Sequence, residues 1–226
     1  MRLPTYEILF TRQIPEMQGL WDGAFWRLAQ PLSVGCFRPE GSDHRPQTFC
    51  KLFFNEQNIF GIFRIEDQYV RCIHTRFQSD VWKDSCVEFF VQPKEGFGYF
   101  NFEFNCGGAL LASYVTDPTR VGCSLKQYIP LTPDDDRQIP RYASLASVVE
   151  PEITNPVVWT LEFSIPLNVL EKYVGQIGTL QQKIWHANFY KCGNETSHPH
   201  WASWAPLSAR NFHEPASFGK LEFITI

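Results

Sequence analysis

Hydrophobic and polar residues alternate strictly in two neighbouring stretches near the middle of the chain. Residues 99–105 read YFNFEFN and residues 87–92 read VEFFVQ, so at least every second side chain is apolar. A period of two is typical of a β-strand with one face on the core. The six residues between the stretches suit a hairpin loop, which predicts two antiparallel strands. In a matching register, Glu88 and Glu103 lie on the same polar face of the sheet.

Similar apolar runs, bounded by turn residues, recur along the rest of the chain. They predict further strands at 49–54, 59–65, 69–75, 109–115, 142–149, 157–163, 183–191 and 219–226. One short helix is expected at 167–173, between Pro166 and Gly175. The polar, proline-containing residues 117–141 are expected to form a surface loop or a poorly ordered insertion. We therefore predict an all-β fold, a single-domain antiparallel β-sandwich with one short helix over residues 1–226.

Composition narrows the classes of protein to which the chain can belong. With 226 residues, 44% of them hydrophobic and 15% aromatic, it can build one substantial core. The net charge of −4 comes without a basic stripe, which argues against nucleic acid as a partner. No apolar run approaches the roughly 18 residues of a membrane span, and the first residues lack the apolar segment of a signal peptide. Seven cysteines without a C-x-x-C pair favour a reducing compartment over a disulfide framework.

Three interpretations of the polar strand face remain open from its residues. Carboxylates and amides pair with the vicinal hydroxyls of a sugar, and Trp82 offers a flat apolar surface to its C–H face. Alternatively, Glu88 and Glu103 are the carboxylate pair of a glycosidase. The third interpretation is an ordinary sheet face that is polar because it meets water.

A zinc site involving the C-terminal histidines is a weaker hypothesis. His198 and His200 lie two residues apart, and Cys192, His186 or His213 could complete a tetrahedron. The ligands are scattered, however, and no glutamate stands in an H-E-x-x-H relation. The pattern therefore disfavours zinc at these histidines.

Several motifs together are more specific than any of them alone. They are VWKDSCVEFFV at 81–91, YFNFEFN at 99–105, WTLEFSIPL at 159–167, HANFYK at 186–191, and SW-x-P with FHEP-x-x-FG within 203–219. This set resembles the family 9 carbohydrate-binding modules, within the DOMON-like group of β-sandwiches. The resemblance implies a non-catalytic protein that holds a sugar, typically at a chain end, between two tryptophans above a polar sheet face.

The resemblance also assigns the two stacking residues. Trp82 stands six residues before Glu88 and resembles the first tryptophan of the clamp. Trp204, in the SW-x-P motif, resembles the second. Both are expected to face the sugar.

Four polar residues are expected to contact sugar hydroxyls. Glu88 corresponds to a sugar-contacting carboxylate of the family, and Asn188 lies where the family has a contacting or supporting amide. Glu103 departs from the family pattern, which has an arginine there, so specificity for cellulose or xylan is not transferred. Asn105 lies on the same strand face and is a further candidate.

Carbohydrate binding without catalysis is therefore the leading prediction, with a mono- or oligosaccharide as partner. The alternative is a glycoside hydrolase or lyase that uses Glu88 and Glu103. The resemblance is compatible with a structural calcium ion, although no cofactor is certain. A haem reading within the DOMON-like group is disfavoured because the only methionines, Met1 and Met17, lie near the N-terminus. The cellular compartment stays open, since the resemblance favours a secreted or periplasmic protein.

Overall fold

A computed structural model describes residues 3–122 and 124–225, so Met1 and Cys123 lie outside the described residues. The described chain is mostly β-strand. The strands are β1 (Thr5–Phe10), β2 (Leu32–Ser33), β3 (Cys36–Phe37), β4 (Gln47–Phe54), β5 (Asn58–Asp67), β6 (Val70–Cys72), β7 (Cys86–Gln92), β8 (Tyr99–Asn105), β9 (Leu110–Val121), β10 (Ser124–Pro130), β11 (Arg141–Ala143), β12 (Val149–Ile153), β13 (Val157–Pro166), β14 (Ile184–Cys192), β15 (Trp201–Ser203) and β16 (Gly219–Ile224). The α-helices are α1 (Pro133–Arg137) and α2 (Leu167–Val174).

The strands form a β-sandwich, as predicted. One half has the order β10-β9-β8-β7-β14-β16, and the other has the order β4-β5-β13-β11. Strand β1 joins the halves, because it pairs in parallel with β16 on one side and with β4 on the other. Most remaining neighbours are antiparallel. The predicted all-β class is confirmed.

Phenylalanines from both halves meet in the core between them. Phe163 of β13 lies with its ring centroid 5.1 Å from Phe104 of β8 and 6.0 Å from Phe89 of β7. Phe63 of β5 lies 6.2 Å from Phe189 of β14. All five rings are fully buried, and burial of each contributes about 1.5–3 kcal/mol. The apolar halves of the alternating patterns therefore become this core.

The helices differ in part from the prediction. Helix α2 lies where it was expected, and Gly175 ends it with a φ of 67°. Helix α1 was not predicted, and it begins with a capping box in which Thr132 and Asp135 bond each other's backbone N–H groups. No helix in the described chain is both long and apolar enough to cross a membrane.

Two sequence predictions were wrong. Much of the segment 117–141 is the hairpin β9–β10 and not a loop. Two of its prolines, Pro118 and Pro130, lie on these strands, where β9 no longer pairs with β8 and β10 is the sheet edge, so a missing N–H is tolerated. The expected strand at 142–149 is divided between β11 and β12, and β12 pairs with the short β6 in a separate two-stranded sheet.

A buried ionic network lies at the end of the core next to β14. Lys191 is 0% exposed, and its ammonium lies 3.3 Å from Asp67 and 2.7 Å from Nε2 of His200. His44 and the indole N–H of Trp159 also bond the Asp67 carboxylate, at 2.8 and 3.1 Å. Burial by itself would raise the pKa of Asp67, but Lys191 and His44 hold it below its usual range. The network keeps one buried cation and one buried anion together.

The Asp67→Ala variant should lose much of the protein's stability. It leaves the Lys191 ammonium buried without a counter-charge, which typically costs about 3–5 kcal/mol of unfolding free energy. Urea denaturation followed by circular dichroism measures this loss. Glu66→Ala is the control, because Glu66 forms an exposed ion pair with Arg64, and such pairs contribute about 0.2–1 kcal/mol. Equal losses in the two variants would contradict the role given to the network.

Acidification should destabilise the protein through His200. Its Nε2 accepts from Lys191 while its Nδ1 faces the His198 carbonyl, so the ring is neutral. Burial, followed by Lys191, lowers the pKa of His200 to about 3 from 6.5. Below pH 6.5 the unfolded chain therefore binds the proton and the folded chain does not. The free energy of unfolding thus decreases as the pH is lowered, by at most about 1.4 kcal/mol per pH unit. His200→Gln should flatten this slope between pH 6 and 4, as measured by denaturation at each pH, and an unchanged slope would contradict the assignment.

Candidate functional site

A cavity of about 500 Å³ lies over the polar face of β7, β8 and β9. Its floor carries Glu88 of β7 together with Asn101 and Glu103 of β8, and Trp82 and Trp201 stand at its sides. The hairpin β9–β10 and the segment 210–213 form the remaining rim. Since ligand pockets typically measure about 300–1,000 Å³, this cavity has the size of a small-molecule site.

The two glutamates of the floor are directly opposed across neighbouring strands. Glu88 pairs with Glu103 in the β7–β8 register, as predicted. They are only 2% and 5% exposed. Asn101, two residues before Glu103 on the same face, donates a hydrogen bond of 2.8 Å to the Glu103 carboxylate. Its own side-chain oxygen accepts from the backbone of Ser113, so the amide is held in place.

The environment raises the pKa of both carboxyl groups. Burial raises the pKa of Glu88 well above its usual value, and the neighbouring Glu103 raises it further. Burial likewise raises the pKa of Glu103, to about 7, although the hydrogen bond from Asn101 acts in the opposite direction. The floor can therefore offer both hydrogen-bond acceptors and carboxyl donors near neutral pH.

The two glutamates lie side by side below the cavity. A glycosidase needs its carboxyl groups on either side of the scissile bond, one toward the leaving oxygen and one toward the sugar ring. Both groups here would meet a ligand from the same side. This arrangement suits recognition of hydroxyl groups better than hydrolysis.

The walls of the cavity are two tryptophans that are connected through Asn194. Trp82 lies in a short 3-10 turn at 81–83, just before β7, and Trp201 begins β15. The Trp201 indole N–H donates to the Asn194 side chain at 2.7 Å, and the Asn194 backbone N–H donates to the Trp82 carbonyl at 3.4 Å. Both rings are half-buried. The guanidinium of Arg210 lies 4.5 Å from the centre of the Trp201 ring.

Trp204, the expected second wall, does not line the cavity. Trp204 directly follows β15 and continues its pairing, because its backbone N–H donates to the Phe189 carbonyl at 2.9 Å. Successive residues of an extended chain point to opposite sheet faces, so Trp201 and Trp204, three positions apart, face opposite ways. The Trp204 ring packs edge-on against the core residue Phe189, with centroids 5.6 Å apart, and it also covers Gly219. The structure therefore places Trp201 and not Trp204 beside the floor of this cavity, and contact of Trp204 with a ligand stays a prediction.

Asn105 and Asn188 also lie outside the cavity lining, and both are fully buried. Asn105 donates to the Asp84 carboxylate at 2.8 Å and accepts from the Ala109 backbone N–H at 2.9 Å. Asn188 accepts from the Ala205 N–H at 2.9 Å and donates to the Ala205 carbonyl at 3.1 Å. Their amides hold loops against the sheet, and contact of either with a ligand stays a prediction.

Three residues of this site escaped the sequence analysis. Asn101 shares the alternating face of Glu103 and was recognisable by that spacing. Trp201 was visible as an aromatic in a polar loop, but the SW-x-P motif pointed to Trp204 instead. Asn194 carries no sequence signal, because its role depends on contacts between two loops that are distant in the chain.

The histidines considered as zinc ligands, and disfavoured by their spacing, do not form a cluster. His198 stacks on Tyr69 with centroids 3.6 Å apart, whereas His213 bonds the Tyr99 hydroxyl at 2.7 Å. His200 belongs to the ionic network around Lys191. The structure therefore does not bring the proposed histidine ligands together.

Two other clusters in the described chain have side chains that could ligate a metal ion. One consists of His44, Asp67 and His200, but the Lys191 ammonium already neutralises it. The other consists of Cys86, Glu88 and Cys192. Calcium prefers oxygen ligands, and neither cluster offers such a set, so a structural calcium ion stays a prediction.

Comparison with known sequences and structures identifies the family. The profile of carbohydrate-binding family 9 matches residues 28–223. The chain belongs to this family. Family 9 modules bind carbohydrate and are not catalytic, which confirms the leading prediction and removes the hydrolase or lyase alternative. No curated protein matches the chain.

Solved structures agree with the family 9 fold. A protein from Bacteroides uniformis, to which carbohydrate binding has been provisionally ascribed, is 26% identical with a TM-score of 0.83 over 98% of this chain and 99% of its own. A family 9 module from Caldicellulosiruptor kristjanssonii in complex with glucose has a TM-score of 0.63 at 8% identity, covering 99% and 97% of the two chains. Its cellotriose complex has a TM-score of 0.65 at 8% identity, covering 99% and 95%.

The Asn188→Ala variant should destabilise this family 9 protein without changing the cavity. It leaves the N–H and C=O of Ala205 unpaired in a buried position, at a cost of about 1–3 kcal/mol for each such group. Thermal and urea unfolding measure the loss. Asn168→Ala is the control, since that amide is exposed on α2. A stable variant with weakened ligand binding would instead place Asn188 in the binding site.

Proposed function

We propose that the cavity binds one end of a carbohydrate chain, with a sugar ring between Trp82 and Trp201 and its hydroxyls on the glutamate floor. The observation that carries this proposal is that one cavity joins two tryptophans with three buried polar side chains of a sheet face. Family membership supports carbohydrate as the ligand class.

The tryptophans are suited to the apolar face of a sugar. A pyranose ring presents C–H groups on its faces, and a flat indole covers them without requiring a particular hydroxyl pattern. Asn194 restrains both walls, through the Trp201 indole and the Trp82 backbone, so less side-chain freedom is lost when a ligand binds. Stacking is therefore expected to supply most of the affinity.

The floor is suited to reading hydroxyl positions. Glu88 and Glu103 present two carboxyl groups side by side, and vicinal hydroxyls can bond to such a pair. Each neutral hydrogen bond replaces one to water and contributes only about 0.5–1.5 kcal/mol. A hydroxyl of wrong orientation leaves a buried carboxyl unpaired, which costs more. The floor therefore contributes selectivity more than affinity.

The shape of the cavity favours a terminal sugar. The sheet closes its base, the hairpin β9–β10 borders it on one side, and the segment 210–213 borders it on another. A chain end can enter such a cavity from above while the rest of the chain extends into solvent. Because the Caldicellulosiruptor modules have structures with glucose and cellotriose, gluco-oligosaccharides are the first ligands to test, together with other mono- and oligosaccharides.

The Trp82→Ala and Trp201→Ala variants should each weaken binding at least tenfold, or about 1.4 kcal/mol. Each removes one stacking surface. A glycan array selects the ligand, and isothermal titration calorimetry then measures its affinity. Trp21→Ala is the matched control, because Trp21 is also half-buried but packs near Trp26 and Lys51, outside the cavity lining. Its affinity should stay within about twofold of wild type.

Two results would contradict the proposal. Folded Trp82→Ala and Trp201→Ala proteins that bind as wild type would place the site elsewhere. Loss of binding in a folded Trp204→Phe protein, with Trp201→Ala unaffected, would restore Trp204 as the second wall.

A further inference from the structure

Three buried side chains at the edge of the cavity floor have the composition of a metal site. Cys86 and Glu88 lie two residues apart on β7, so they share a sheet face, and Cys192 of β14 lies directly opposite Cys86. The two sulfur atoms and a Glu88 carboxylate oxygen all lie within 4.8 Å of one another. The three residues are 0%, 2% and 1% exposed. Two neighbouring strands therefore bring three ligand atoms to one point.

The charges around Glu88 leave a place for a cation. None of the ion pairs within 3–122 and 124–225 includes Glu88. The carboxylate accepts a hydrogen bond of 3.2 Å from the Cys192 thiol. Lys191, the residue directly before Cys192, points to the opposite sheet face and pairs with Asp67. A buried carboxylate with only neutral or acidic neighbours is costly, and a bound cation would offset that cost.

We propose that Cys86, Glu88 and Cys192 form a zinc-binding site beside the carbohydrate cavity. This inference goes beyond the proposed function, because neither the family nor sugar binding requires a transition metal here. Thiolates select soft or borderline ions, which excludes calcium and magnesium, and the carboxylate favours zinc over copper(I). On binding, each thiol, and the Glu88 carboxyl when it is protonated, releases its proton to solvent water, and the freed lone pair of each group binds the metal.

The observed geometry is close to that of a tetrahedral zinc site. With Zn–S near 2.3 Å and Zn–O near 2.0–2.2 Å, ligand atoms stand roughly 3.5–3.8 Å apart. The Cys192–Glu88 separation of 3.2 Å is slightly shorter. No two of the three ligand atoms are more than 4.8 Å apart. Shortening these separations by about 1 Å or less would therefore give the distances of a tetrahedral zinc site.

The fourth coordination position is reached from the cavity. Glu88 and Cys192 both line the cavity, whereas Cys86 does not. Three protein ligands with one open position are the pattern of a zinc ion that also binds water or an exogenous oxygen. The cavity therefore supplies the entry path for the ion, and a water molecule or a ligand hydroxyl would occupy the open position.

Metal titration of the full chain tests the site without any sugar. The reduced, metal-free protein, kept in a thiol-free phosphine reductant, is titrated with zinc against a chromophoric chelator. We expect one equivalent of zinc per chain. Cobalt(II) at one equivalent should give the near-ultraviolet charge-transfer absorption of thiolate ligation, a readout that needs no variant.

Matched variants locate the ion. Cys86→Ser and Cys192→Ser should weaken zinc binding by more than about 100-fold, since loss of a direct ligand exceeds the 10–100-fold effect of outer partners. Cys50→Ser is the control, because Cys50 is equally buried but lies in the core, and its zinc affinity should match wild type. Circular dichroism establishes that each variant is folded.

Three outcomes would overturn the zinc site: no stoichiometric zinc, no thiolate band with cobalt, or wild-type zinc affinity in a folded Cys192→Ser protein. Sugar binding is measured in separate titrations. Failure of the zinc site therefore leaves the carbohydrate proposal untouched, and failure of sugar binding leaves the zinc result interpretable.

Discussion

The register of β7 between β8 and β14 determines both faces of the central sheet. In this register Phe89 stands between Phe102 and Phe189 on the core side. On the other side, Glu88 stands opposite Glu103. A shift of one residue would turn the carboxylates into the core and the phenylalanines toward the cavity. Burial of the aromatic face therefore holds the polar face in place, and the cavity floor depends on core packing.

The same alternation separates two buried polar systems that are adjacent in the chain. Lys191 points into the sandwich and pairs with Asp67, whereas Cys192 points to the outer face beside Glu88. In the core system the positive charge of Lys191 neutralises the negative charge of Asp67. Hydrogen bonds from His44 and Trp159 satisfy the Asp67 carboxylate further. In the outer system Arg120, on the cavity rim, lowers the pKa of Glu103, whereas Glu88 takes part in none of the ion pairs found in residues 3–122 and 124–225. This difference is the reason that we propose a ligand and an ion for the outer system and not for the core system.

The sequence predicted the floor more accurately than the walls, for a physical reason. Alternation reports which residues share a strand face, and it correctly paired Glu88 with Glu103. It does not report what covers that face, so the buried amide of Asn105 was indistinguishable from that of Asn101. Trp201 and Trp204 lie in one irregular segment, where only the short strand β15 decides which ring faces the cavity. The hairpin β9–β10 resembled a loop because edge strands tolerate proline and polar residues.

Burial of Glu88 and Glu103 in the cavity floor is unfavourable for the free energy of the ligand-free protein. Burial raises the pKa of both carboxyl groups, and the neighbouring Glu103 raises that of Glu88 further. Water in the cavity can satisfy them only in part, because both groups are nearly inaccessible. A ligand that supplies hydroxyl donors and acceptors at fixed positions satisfies them more completely. In the proposed carbohydrate site, the unfavourable burial of Glu88 and Glu103 would favour a ligand of matching hydroxyl geometry, while the half-buried tryptophans would supply the less specific attraction.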